Sequence, residues 1–148
     1  MNRNKPILLV EDNPSDADLT RRALSRGHIS NLLVVAEDGQ EALDYLRGEG
    51  TYAGRAVSET PSVVLLDLKL PKVSGLEVLR AVRADARLKR VPVVILTSSK
   101  EEEDVAAGYD LGVNSYVRKP VDFKEFQVAI ENLGLYWLIL NEPNPPVR

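Results

Sequence analysis

Short apolar runs alternate with amphipathic stretches along most of the chain. Ile7–Val10, Leu32–Ala36, Val63–Leu66 and Val91–Leu96, the last interrupted only by Pro92, show no polar alternation. Runs of this kind suit strands covered on both faces. Val113–Val117 is a more polar fifth run. The intervening stretches carry helical spacing. Leu19, Ala23 and Leu24 share one face of the first, and Ala42, Leu43 and Leu46 one face of the second. Leu76, Leu79 and Val82, with Arg83 at the wet margin, mark the third. Val105, Ala106 and Leu111 mark the fourth, and Phe123, Phe126, Ile130 and Leu133 the fifth. Asn13-Pro14, Ser74 with Glu77, and Asp122 with Glu125 signal helix starts, while Gly27, Gly48 and Gly112 signal ends.

Five strands alternating with five helices predict parallel βαβ crossovers and a doubly wound α/β sheet. One domain is expected over 1–140, including a C-terminal apolar segment, followed by a Pro-rich tail over 141–148. Glu49 to Thr60 reads as a longer polar connection, and Arg87-Leu88-Lys89-Arg90 as a solvated basic loop.

Ligands of open α/β sheets sit outside the carboxyl ends of the strands. The first predicted strand ends in Glu11-Asp12, the third in Asp67, the fourth in Thr97 and the fifth in Lys119-Pro120. Three carboxylates, a hydroxyl and an amine therefore converge on one edge. Carboxylates packed together repel unless a cation joins them, and an all-oxygen set suits a hard ion such as Mg²⁺. A carboxylate can act as nucleophile toward phosphorus. That chemistry needs mainly positioning and neutralised charge, which Mg²⁺ and Lys119 would supply, with Thr97 hydrogen-bonding a phosphoryl oxygen.

Glu11-Asp12 after Ile7–Val10, Leu66-Asp67-Leu68-Lys69-Leu70-Pro71 with Gly75, Thr97-Ser98, and Tyr116-Val117-Arg118-Lys119-Pro120 together resemble the receiver domain of bacterial two-component response regulators. The resemblance covers about residues 6 to 133, with all four markers in order. It implies a flavodoxin-like (βα)5 fold, strand order 2-1-3-4-5, and Asp67 as phospho-acceptor from a sensor histidine kinase. It also implies Mg²⁺ held by Asp12, Asp67 and the backbone carbonyl of Lys69, with Glu11 acting directly or through water. The Lys119-Pro120 bond is expected to be cis, a geometry open to proline. Ser99 is expected to influence phosphoryl lifetime. Thr97 and Tyr116 are expected to switch the surface of the fourth helix, fifth strand and fifth helix. The chain is then a signalling phospho-acceptor with no separate substrate to turn over.

The end of the chain sharpens this picture. Leu135, Tyr136, Trp137 and Leu138 continue past the fifth helix, and no linker to an output domain follows, so a stand-alone receiver is expected. The long Glu49–Thr60 connection and this tail are similar to regulators that serve phytochrome-type (bacteriophytochrome) kinases. The apolar tail suits a homodimer seam.

Composition removes other classes. Of 148 residues, 44% are hydrophobic and 28% charged, as in ordinary globular proteins. The net charge of −3 gives no footprint for nucleic acid. There is no cysteine and only one histidine, His28, read as a loop residue, so thiolate and multi-histidine metal sites are excluded. The first apolar run is too short for a signal core or membrane span, which points to the cytoplasm. An aspartate-nucleophile phosphatase would want a second acid two residues after Asp67, where Lys69 stands. A flavin site would want a Ser-, Thr- and Gly-rich loop where Glu11-Asp12-Asn13-Pro14 stands. A binding module that switches without phosphate would lack one of the acids, Thr97 or Lys119.

Overall fold

The computed structural model describes residues 5–29, 31–55, 60–98 and 115–132. The expected fourth helix with Gly112, Ser99 and the tail from Leu133, including Leu135, Tyr136, Trp137 and Leu138, lie outside the described residues.

The described elements run β1 (Ile7–Val10), α1 (Pro14–Arg26), β2 (Leu33–Ala36), α2 (Gly39–Arg47), a 3₁₀ turn (Gly50–Tyr52), β3 (Val63–Asp67), α3 (Gly75–Ala84), β4 (Val93–Thr97), β5 (Ser115–Arg118) and α4 (Phe123–Asn132). The last is the helix expected as the fifth. The sheet order is β2-β1-β3-β4-β5 and every pairing is parallel. This is the flavodoxin-like order, with the strand order reversing between β1 and β3.

Strand alternation divides the core into two layers. Leu8, Val10, Val64, Leu66, Val93 and Ile95 pack with Leu43, Leu46, Leu79 and Val82 of α2 and α3. Ile7, Leu9, Val63, Leu65, Val94, Leu96 and Val117 pack with Ala17, Ala23 and Leu24 of α1 and Phe126 and Ala129 of α4. β1, β3 and β4 are buried along their whole length. β2 is not: three of its four residues are only half-buried, because it is an edge strand. Leu32, read as part of that strand, precedes it and is exposed.

Helix caps fall where the sequence signals them at Asn13 and Ser74, and Asp38 supplies another that it did not signal. Asn13 accepts from the backbone N–H of Ser15 and Asp16, Asp38 from Glu41, and Ser74 from Glu77. Gly48 ends α2 in the left-handed conformation at φ 68°. The buried face of α1 differs from the expected one: Leu19 is 43% exposed, and Ala17 and Thr20 are buried in its stead, beside Ala23 and Leu24. Thr20 fits there because its hydroxyl donates to the Asp16 carbonyl at 3.0 Å.

The polar connection after α2 is anchored. Arg55 donates through Nε to the Tyr45 carbonyl at 2.7 Å and stacks its guanidinium 4.2 Å from the Tyr45 ring centre. Tyr52 meets Tyr45 edge-on at 5.1 Å and donates its hydroxyl to Glu41 at 2.6 Å. The basic segment after α3 is also more than a solvated loop. Leu88 is buried, and Arg87 donates to the Leu46 carbonyl at 3.0 Å, satisfying the C-terminal end of α2.

Candidate functional site

Parallel register brings the carboxyl ends of the strands together. Val10 pairs with Leu66, so Glu11 and Asp67, the next residue on each chain, leave the sheet side by side. Asp67 pairs with Leu96 and Thr97 with Arg118. The Lys119 N–H donates to the Thr97 carbonyl at 2.7 Å, which ties the start of the fifth loop to the end of β4.

On this edge Glu11 and Asp67 are buried and Asp12 is exposed. One carboxylate oxygen from each of the three lies within 4.8 Å of the others. Lys119 reaches into the group, with Nζ 2.8 Å from Glu11 Oε1 and 3.0 Å from Asp67 Oδ2. Asp67 Oδ1 accepts from the Lys69 backbone N–H at 3.2 Å, and Glu11 Oε2 from that of Asn13 at 3.2 Å. The Lys119-Pro120 peptide is cis.

The electrostatics follow from burial. Loss of water pushes the Glu11 carboxyl up to about 7, with the Asp67 charge adding to the rise and Lys119 opposing it. Burial pulls the Lys119 ammonium down, but its contacts with Glu11 and then Asp67 outweigh that, and its net shift is upward. Glu11 Oε1 faces Lys119 as an ion pair outside hydrogen-bond alignment, which leaves this buried oxygen with no hydrogen-bond donor. Three convergent carboxylates, one with an unsatisfied buried oxygen, form a donor set that fits a hard divalent cation.

Thr97 is buried at the end of β4. Tyr116 pairs with Ile95 and packs half-buried on the α2–α3 side of the sheet. Alternation along β4 gives Thr97 the same face as Ile95, and so the face of Tyr116. Asp16 was not anticipated. It lies in the first turn of α1, and its Oδ2 is 3.3 Å from Lys119 Nζ. The available signal was an acid one turn into a helix that begins directly after Glu11-Asp12.

The chain matches the response regulator receiver domain over residues 7–131. It resembles the bacteriophytochrome response regulator RtBRR at 57% identity, with a TM-score of 0.86 over 95% of this chain and 84% of that one. Response regulator Rcp1 of Synechocystis is 39% identical over 93% of this chain and 91% of its own. A structure of the Mn²⁺-bound form of Rcp1 aligns with a TM-score of 0.72 at 37% identity, over 97% of this chain and 99% of that one. The phosphorylated cyanobacterial phytochrome response regulator RcpA aligns at 0.73 and 40% identity, over 94% and 99%. This chain belongs to the response regulator receiver domain family, and regulators of phytochrome signalling are among its relatives.

Proposed function

We propose that this receiver accepts a phosphoryl group on Asp67 from a phosphohistidine of a sensor kinase, and that the kinase is of the phytochrome type. The observation that carries this reading is the placement of Asp67, buried at the end of β3 with Lys119 Nζ 3.0 Å from Oδ2. An Asp67 carboxylate oxygen forms a bond to phosphorus while the donor's P–N bond breaks and its electron pair returns to the imidazole. Asp67 is the nucleophile, Lys119 balances developing charge, and the Thr97 hydroxyl takes one phosphoryl oxygen. Glu11, Asp12, Asp67 and the Lys69 backbone carbonyl would hold Mg²⁺. When bound, that ion neutralises the carboxylates and the arriving phosphoryl oxygens.

Thr97 and Tyr116 share one face of the sheet, which supports their acting together as a switch toward the surface beside β5. The chain then turns over no separate substrate and works in the cytoplasm as a signalling element, without membrane or nucleic-acid contact. Among the described residues, no helix is long and apolar enough to cross a membrane. The apolar residues Leu135, Tyr136, Trp137 and Leu138 are proposed as a homodimer seam, so Trp137→Glu should sediment as a monomer. An unchanged sedimentation profile would reject that seam.

Incubation with acetyl phosphate, with and without Mg²⁺, tests the central reading by intact and peptide mass spectrometry. The expected result is a Mg²⁺-dependent, base-labile phosphoryl adduct on the Asp67 peptide, lost in Asp67→Asn. Label on another residue overturns it.

A further inference from the structure

Three carboxylates hold Lys119, and one of them comes from a helix and not from a strand end. Nζ lies 2.8 Å from Glu11, 3.0 Å from Asp67 and 3.3 Å from Asp16. Asp67 and Asp16 accept hydrogen bonds from the ammonium and Glu11 faces it as an ion pair, so three anionic groups share one cation. Asp16 is the longest contact, and its side chain is 36% exposed against 0% for Glu11 and 8% for Asp67. Glu11 and Asp67 form the floor of the site, and Asp16 stands at its rim.

The rim position is fixed from both sides. The Asp16 backbone N–H donates to Asn13 Oδ1 at 3.1 Å, and its carbonyl accepts from the buried Thr20 hydroxyl at 3.0 Å. Asn13 also donates its own N–H to Glu11 Oε2. One short turn thus sets Glu11 and Asp16 relative to each other. An acid in the first turn suits the helix dipole, but that explains the residue type and not a contact to a lysine 103 residues away.

We propose that Asp16 is a positioning residue that restrains Lys119 and so disfavours the phosphorylated state; this rests on Asp67 being the phospho-acceptor. A phosphoryl group on Asp67 brings three acceptor oxygens and close to two negative charges in place of the one on the carboxylate. Lys119 must turn a proton toward it, and the contact most readily surrendered is the long, exposed one to Asp16. Phosphorylation therefore leaves the Asp16 carboxylate without its cation, close to a new anion. The same charge opposes the approach of an anionic phosphodonor. Asp16 acts through Lys119 and through its field, and takes no part in bond formation.

The test is the rate of Asp67 labelling by acetyl phosphate at saturating Mg²⁺, measured for the full chain, Asp16→Asn, Asp16→Ser and Asp16→Glu. The expected result is labelling ~3- to 10-fold faster in Asp16→Asn and Asp16→Ser, with the difference shrinking at high salt as the rim charge is screened. Asp16→Glu should return to the slow rate. A purely structural role would change none of the salt dependence and would not be rescued by charge. Equal or slower labelling in both neutral variants, each shown to be folded by circular dichroism, overturns this inference alone. Absence of label on Asp67 in the unaltered chain overturns the phospho-acceptor reading and this inference with it.

Discussion

Lys119 Nζ lies 3.0 Å from Asp67 Oδ2 across 52 residues of sequence, at the centre of the carboxylate cluster on the sheet edge. Removing the cation leaves Glu11, Asp12 and Asp67 facing one another. In Lys119→Met, without divalent ion and at about pH 8, the expected loss is ~3 kcal/mol, the usual penalty for stranding a buried charge. Saturating Mg²⁺ should restore most of it. Urea unfolding with and without Mg²⁺ checks this; equal losses in both conditions would reject the idea that the two cations do the same job.

If Glu11 helps hold Mg²⁺ as proposed, its carboxyl, pushed up to about 7 by burial, makes metal binding pH-dependent. The ion needs the carboxylate, so protons compete below that value. Apparent Mg²⁺ affinity should fall by up to about tenfold for each pH unit below 7. Without metal, burial of Glu11 outweighs its ion pair with Lys119, and the sign for stability is opposite to that of an acid whose value a partner lowers. Between its ordinary value of 4.5 and about 7 the folded chain keeps a proton that the unfolded chain has released, so stability falls as pH rises through that window. Titration calorimetry across this range measures the first effect and metal-free urea unfolding the second, each with Glu11→Gln as the flat reference.

Gly75 opens α3 against the strand that carries Asp67. A Cβ there would lie 2.2 Å from the Asp67 carbonyl oxygen and 2.7 Å from Leu68 Cα, both of them backbone. Neither can yield without moving β3. Gly75→Ala should cost roughly 2 kcal/mol or more and slow Asp67 labelling as well. A stable variant with parental labelling kinetics would show that the backbone relaxes.

Tyr52 offers an alkaline test far from the site. Its hydrogen bond to Glu41, then burial, hold the phenol up at about 12 against an ordinary value of 10.0. The protonated phenol is the favoured form in the fold. Its contribution is complete below pH 10.0 and disappears as pH rises through about 12. Tyr52→Phe should lose ~1 kcal/mol at neutral pH and abolish a phenolate transition near pH 12 followed by ultraviolet absorbance.

Much of this was legible because the strongest signals are periodic. The runs through Ile7–Val10 and Val63–Leu66 lead straight to β1 and β3, and the rule that ligands collect at strand ends then brings Glu11, Asp67 and Lys119 together before any contact is known. What stayed hidden depends on contacts between elements. Leu19 fits the helical spacing as well as Thr20 does, and only the Thr20 hydroxyl bond to Asp16 lets the polar residue occupy the buried face. Arg87 has the look of a solvent residue, yet its partner, the Leu46 carbonyl, lies 41 residues away. Asp16 carries no such signal, because it lies one turn into α1, beyond the strand ends where ligands collect.

The pairing of Val10 with Leu66 has a meaning beyond packing. Successive side chains on a strand lie on opposite faces, about 3.3 Å apart along its axis. A one-residue slip between β1 and β3 would turn the Glu11 side chain away from Asp67, and a two-residue slip would draw them ~6.6 Å apart. In either case Lys119 could no longer span both acids. The aliphatic side chains of those strands carry no charge, yet they measure out the distance on which the proposed chemistry depends. The reach of Lys119 to both acids is therefore set by strand alignment, at aliphatic positions that carry no titratable group.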